Sequence, residues 1–95
     1  MVQLQHKSSV LRQIAQNCEW VWRKHALTEM RKAGISRLDI IRICQKGAVI
    51  KCEMNMGEET CNVEGSDLDG RRIVVVVVVY KDAIKIKVIT AWKQD

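Results

Sequence analysis

The sequence predicts an α+β domain in which N-terminal helices pack on an antiparallel sheet of about four strands. Three observations carry this. Apolar residues recur at helical spacing as far as Lys46, and after Gly47 the period falls to two. Six consecutive valines, Val74–Val79, then form a run too apolar for a strand with one wet face. Helices first and strands afterwards is the α+β order. The chain's 95 residues read as one domain, with helices over about 8–46 and a strand meander over about 48–93. Hydrophobic residues at 47% and charged ones at 28% give the composition of a folded chain rather than a disordered one. Proline and phenylalanine are absent, so Trp20, Trp22, Trp92 and Tyr80 are the only aromatic residues in an otherwise aliphatic core.

Residues 8–33 read as helix, with Ser8 or Ser9 available as its cap. Leu11, Ile14, Cys18 and Val21 follow one stripe, and Trp22, Ala26, Leu27, Met30 and Ala33 another, so a break or shift of face falls near Asn17–Trp20. Gly34 ends the segment in the C-terminal glycine role. Residues 36–46 form the next helix. Ser36 is its N-cap, Asp39 stands three residues on as a short capping-box partner, and Ile35 and Ile40 occupy the staple positions. Gly47 closes it. The pair of helices has the outline of a helix-turn-helix DNA reader. However, Leu38, Ile40, Ile41, Ile43 and Cys44 cover most of the second helix, and a recognition helix needs a free polar face.

Ile50, Cys52 and Met54 alternate with Lys51 and Glu53 before a turn at Asn55-Met56-Gly57. Glu59, Cys61 and Val63 alternate with Thr60, Asn62 and Glu64 before a longer turn over residues 65–70. The valine strand is expected in the middle of the sheet with both faces covered, and Arg71, Arg72 and Lys81 flank it as gatekeepers. In the last strand, alternation puts Ile84, Ile86, Val88, Thr90 and Trp92 on one face. Lys85, Lys87, Ile89 and Ala91 take the other.

The net charge of +5 is unevenly spread. Residues 1–34 carry +4, 35–47 carry +2, 48–70 carry −5 and 71–95 carry +4, a basic frame around an acidic insert. Such a field favours a polyanionic partner. No run approaches the roughly 18 apolar residues of a membrane span, and no signal-peptide pattern opens the sequence, so a cytoplasmic location with no membrane partner is expected. Cys18, Cys44, Cys52 and Cys61 contain no C-x-x-C pair and no H-x3-H partner. They are expected to be buried free thiols. The alternative is an irregular metal site from Cys44, Cys52, Cys61 and His25, but no metal or other cofactor is expected.

The stretch from Trp22 through His25, Met30 and Arg31 to Gly34-Ile35-Ser36, with Ile40-Ile41 and Lys46-Gly47, is similar to the opening of a bacterial family known as domain of unknown function 4258. Later pieces resemble it too. These are Cys61 to Gly65, then Asp69-Gly70-Arg71-Arg72 into the valines, then Val88-Ile89-Thr90-Ala91. The resemblance covers roughly residues 20–92. That family in turn resembles the RelE/ParE-like toxins of toxin–antitoxin modules, including MqsR-like and BrnT-like members. The resemblance implies a RelE-like fold and a metal-independent endoribonuclease that cuts mRNA, on or off the ribosome. It also implies a cognate antitoxin, a zinc-finger or helix-turn-helix DNA-binding protein, that holds the toxin inactive. Two departures stand out. Cys61 takes a position where relatives often have an aromatic residue, and Trp92 lies near a common tyrosine position.

Metal-independent RNA cleavage needs a base near the 2′-hydroxyl, an acid near the leaving oxygen and cations around the phosphate. His25 is the acid/base candidate by its chemistry, with Glu29 and Lys32 on the same helical face. Arg72 and Arg71 are the candidates for stabilising the phosphate, since the guanidinium fork suits it. Arg31, Lys32, Lys85, Lys87 and Thr90 are candidate RNA contacts, and Trp92 is a candidate stacking platform. The competing readings are a non-catalytic nucleic-acid-binding module using the same basic face and a protein-interaction module.

Overall fold

The computed structural model describes residues 2–94 in the order α1 (Val2–Ala15), β1 (Glu19–Trp22), α2 (Lys24–Ala33), α3 (Arg37–Lys46), β2 (Ala48–Asn55), β3 (Glu58–Ser66), β4 (Arg72–Tyr80) and β5 (Lys85–Lys93). The α+β class holds, with N-terminal helices on a sheet, but the sheet has five strands in the order β1-β5-β4-β3-β2. The additional strand comes from the region where the helical stripe changes phase. Trp20 and Trp22 stand two residues apart and stack at 5.9 Å between ring centroids, an arrangement that period-two backbone provides and a helix does not. β1 runs parallel to β5, pairing Trp20 with Ile86 and Trp22 with Val88, so the sheet is mixed rather than an antiparallel meander.

The single helix expected over residues 8–33 is therefore two helices separated by a strand. Ser8 is not a cap. It lies inside α1, buried, and its hydroxyl accepts the Val49 amide at 2.8 Å, satisfying a backbone donor at the start of β2. α2 ends at Gly34 in the left-handed region (φ 70°), and the amides of Gly34 and Ile35 turn back onto the carbonyls of Arg31 and Met30. α3 opens on a complete capping box. The Asp39 amide donates to the Ser36 hydroxyl at 3.1 Å, and the Ser36 amide donates to the Asp39 carboxylate at 2.8 Å. Gly47 closes α3 because of close packing: a Cβ there would sit 2.5 Å from the Glu64 carbonyl oxygen and 2.6 Å from that of Ile43.

The three helices lie on one face of the sheet. Ile73, Val75 and Val77 of β4, Ile86 and Val88 of β5, and Val63 of β3 form one core with Leu11, Ala26, Met30, Ile40, Ile43 and Cys44 from the helices. β4 is the middle strand, as expected, but both of its faces are not covered by other elements. Val74 and Val78 are buried yet stand outside that core, on a helix-free face. Neighbouring side chains of the sheet bury them there, which is why the valine run shows no alternation.

β5 contains a bulge. Val76 of β4 pairs with Thr90 and Val77 pairs with Val88, leaving Ile89 as an extra residue. One extra residue reverses the faces beyond it. Lys85, Lys87, Thr90 and Trp92 consequently share the helix-free face, whereas Ile86, Val88 and Ala91 point into the core. The strict alternation expected for this strand fails at Ile89. A second irregularity between Val49 and Lys51 similarly turns Val49, not Ile50, inward beside Cys52.

Candidate functional site

The helix-free face is built by register. Arg72, Val74, Val76, Val78 and Tyr80 alternate along β4, and the last four pair on β5 with Trp92, Thr90, Lys87 and Lys85 in turn. On β3, Asn62 and Glu64 pair with Val76 and Val74. Polar and aromatic side chains thus stand around a valine floor.

At one end lies a cluster around Tyr80. Its hydroxyl donates to the Glu58 carboxylate, and the Lys87 ammonium donates to the same carboxylate at 3.2 Å. The ammonium groups of Lys85 and Lys87 lie 5.4 and 5.7 Å from the centre of the Tyr80 ring, within cation–π range. The Tyr80 hydroxyl first, and Lys87 after it, hold Glu58 below the usual carboxylate range. Tyr80 and then Glu58 push Lys87 up, so it is firmly protonated at neutral pH. At the other end Arg72 pairs with Glu64, and Trp92 is 42% exposed. Half-buried Thr90 stands between the two ends.

Arg71 does not share this face. Its guanidinium pairs with Asp67 and donates to the Gly34 carbonyl at 3.2 Å, tying the β3–β4 loop to the end of α2. Burial pushes the Asp67 carboxyl up, but the Arg71 amide and guanidinium and the Asp69 amide together outweigh it, leaving the group below its ordinary value. His25 lies exposed in the first turn of α2, nine residues before Gly34, or about 13 Å along the helix from the Arg71 end. Glu29 pairs with Lys32 at 3.4 Å, and among the described residues the His25 imidazole has no hydrogen-bond partner. Arg31 and Lys32 are exposed on the same helix.

The structure therefore splits the sequence-selected residues into two groups. Arg72, Lys85, Lys87, Thr90 and Trp92 come together on the helix-free face. His25, Arg31 and Lys32 stay on α2, and Arg71 is fastened to that helix's end. Tyr80 and Glu58, with Asn62 and Glu64, belong to the face but were not singled out in the sequence as site residues. Tyr80 could have been found by counting alternate positions from Arg72; Glu58 carries no local signal beyond following a turn.

The cysteines also depart from the expectation of four free thiols. Cys18 and Cys44 are free, but Cys52 and Cys61 are joined in a disulfide. The two-residue turn at Met56-Gly57 sets them directly opposite one another across β2 and β3, with their Cα atoms 4.2 Å apart. Burial, with a smaller contribution from Cys18, pushes the Cys44 thiol up to about 12. The irregular set of Cys44, Cys52, Cys61 and His25 does not assemble. Among the described residues the potential donor atoms that do come together are those of Cys52, Glu59 and Cys61.

The family described as "Domain of unknown function (DUF4258)" matches residues 22–93. The chain belongs to this family. The DUF4258 match runs from the last residue of β1 to the last of β5, so it takes in α2, α3 and the whole helix-free face while α1 lies outside it. No curated protein matches the chain. No helix among the described residues is long and apolar enough to cross a membrane.

Proposed function

We propose that this DUF4258 protein is a cytoplasmic toxin-type endoribonuclease that binds single-stranded mRNA across the helix-free face of its sheet and cleaves it without a metal. The observation that carries the reading is the bulge at Ile89. It gathers two lysines, a threonine and a tryptophan onto one face beside Arg72 and Tyr80. Cations and an exposed aromatic along one surface are what an unpaired strand requires, phosphates meeting ammonium and guanidinium groups and a base stacking on an indole.

In this reading Trp92 stacks a base, and Lys85, Lys87 and Arg72 surround the backbone. The scissile phosphate sits at the Tyr80 end. Glu58, ionised at neutral pH, accepts the 2′-hydroxyl proton through Tyr80. Protonated Lys87 offsets the charge that builds on the phosphate and protonates the leaving 5′-oxygen. The resemblance to RelE-like toxins supplies the biological setting of translational arrest and a cognate DNA-binding antitoxin.

The test is cleavage of a labelled single-stranded RNA in the presence of a metal chelator, together with growth on induction in bacteria. Wild-type protein should cut the RNA and arrest growth. Tyr80→Phe and Lys87→Ala should each lower the cleavage rate by about a hundredfold or more, the usual worth of one positioned acid–base group. His25→Ala should leave it nearly unchanged. Loss of cleavage in His25→Ala alone would move the site to α2. Salt-sensitive RNA binding with no cleavage would reduce the protein to a binding module.

A further inference from the structure

The β2–β3 hairpin carries a second cluster, on the helix-covered face and separate from the proposed RNA surface. Cys52 pairs with Cys61, and Glu59 stands two residues before Cys61, on the same side of the strand. The two sulfur atoms and a Glu59 carboxylate oxygen lie within 4.8 Å of one another. α1 crosses above them. The Lys7 ammonium sits 2.7 and 2.8 Å from the two Glu59 oxygens, so this carboxylate already draws a cation to the spot. His6, the preceding residue of α1, lines a cavity of about 110 Å³ together with Cys61 and Glu59.

We propose that the reduced protein binds Zn²⁺ here through Cys52, Cys61 and Glu59, with His6 as the fourth ligand. Two thiolates, an imidazole and a carboxylate are ordinary zinc donors, at about 2.3 Å for sulfur and about 2.0–2.2 Å for nitrogen and oxygen. Those lengths put neighbouring donors of a tetrahedron roughly 3.3–3.8 Å apart, so on reduction the two sulfurs separate from their disulfide spacing while Glu59, and His6 across the cavity, rotate in toward them. Access to the site follows redox state. A thiol reductant takes two protein sulfurs from disulfide to dithiol and is itself oxidised to its disulfide. Zn²⁺ then displaces the two thiol protons, which leave to solvent. The oxidised protein offers no thiolate. The metal would join the hairpin to the first turns of α1, a contact now made by the Lys7–Glu59 pair.

Cobalt titration tests this on the whole protein, kept reduced with a phosphine. One equivalent of Co²⁺ should raise a thiolate-to-cobalt charge-transfer band and tetrahedral d–d bands, and Zn²⁺ should bleach both. Cys52→Ser and Cys61→Ser, confirmed folded by circular dichroism, should abolish the band. Glu59→Gln should weaken binding by about tenfold or more, since even outer-shell partners have that effect. His6→Ala should weaken it as well, and Lys7→Ala should tighten it by removing the competing cation. The proposal is overturned if the reduced protein gives no band, if the oxidised protein gives one, or if the band survives both serine variants and so belongs to Cys18 and Cys44. An unchanged affinity in His6→Ala would overturn the assignment of the fourth ligand. RNA cleavage is not a readout here, so the outcome is independent of the proposed ribonuclease reading.

Discussion

Among the described residues two non-glycine residues hold positive φ, Met56 at 52° and Ile84 at 49°. Met56 is almost fully exposed at the first position of the two-residue turn between β2 and β3, so its side chain gains nothing there. Met56→Asn should stabilise the protein by about 0.5–1 kcal/mol, read from the urea midpoint. Ile84 is β-branched, the side-chain type least suited to this region. Its carbonyl accepts the Glu19 amide at 3.0 Å and so fastens the start of β1. Ile84→Gly should relieve the strain and keep that bond, raising stability by roughly 1 kcal/mol. Glu58 gives a pH prediction. Its carboxyl sits below the ordinary value in the folded protein, so near pH 4 the folded state binds fewer protons than the unfolded one. The stabilisation is complete above the ordinary glutamate range and is lost as pH falls through and below it. Urea midpoints between about pH 5 and pH 3 should fall less steeply in Glu58→Gln than in wild type.

Elements with local causes were legible in the sequence. α3 is the clearest case, because its cap, staple and stop all lie within Ile35–Gly47. Ser36→Ala should remove one hydrogen bond of the box and cost about 1 kcal/mol in thermal or urea unfolding. β1 was hidden because a four-residue strand owes its existence to β5, far along the chain, while its apolar residues also fit a helical stripe. The Ile89 bulge left no local trace either, since no glycine or turn residue marks it. The same blindness applied to Cys52 and Cys61: their pairing follows from hairpin register, and the spacing in sequence does not state it. Of the candidate RNA contacts, the lysines and Trp92 were readable as residue types, but their common face was not.

At the scale of the molecule, the acidic segment resolves into the β2–β3 hairpin and the loop after it, while basic groups fill the helices and β5. Some acidic residues hold basic partners in place: Glu58 holds Lys87, Glu59 holds Lys7, and Glu64 holds Arg72. The helix-free face thus presents Arg72, Lys85 and Lys87 alongside Glu58 and Glu64. If RNA lies across the helix-free face, affinity should fall with salt. Lys85→Ala with Lys87→Ala should reduce the slope of log affinity against log salt by on the order of 1.4, about 0.7 for each single-strand phosphate that is no longer neutralised. Fluorescence anisotropy with a short labelled RNA at several salt concentrations measures it.

The parallel pairing of β1 with β5 also fixes an order of events in time. Residues 19–22 can enter the sheet only beside residues 85–88, so a chain emerging from the ribosome holds β1 unpaired until β5 has been made. The β2–β3 hairpin and β4 need no such wait, because each pairs with its neighbour in sequence. Closing so long a loop is a slow, entropically demanding step. Trp20 and Trp22 stay open to water until it is complete. Their burial should therefore appear as the final phase of refolding in a Trp92→Phe background, where they are the only tryptophans left to report it.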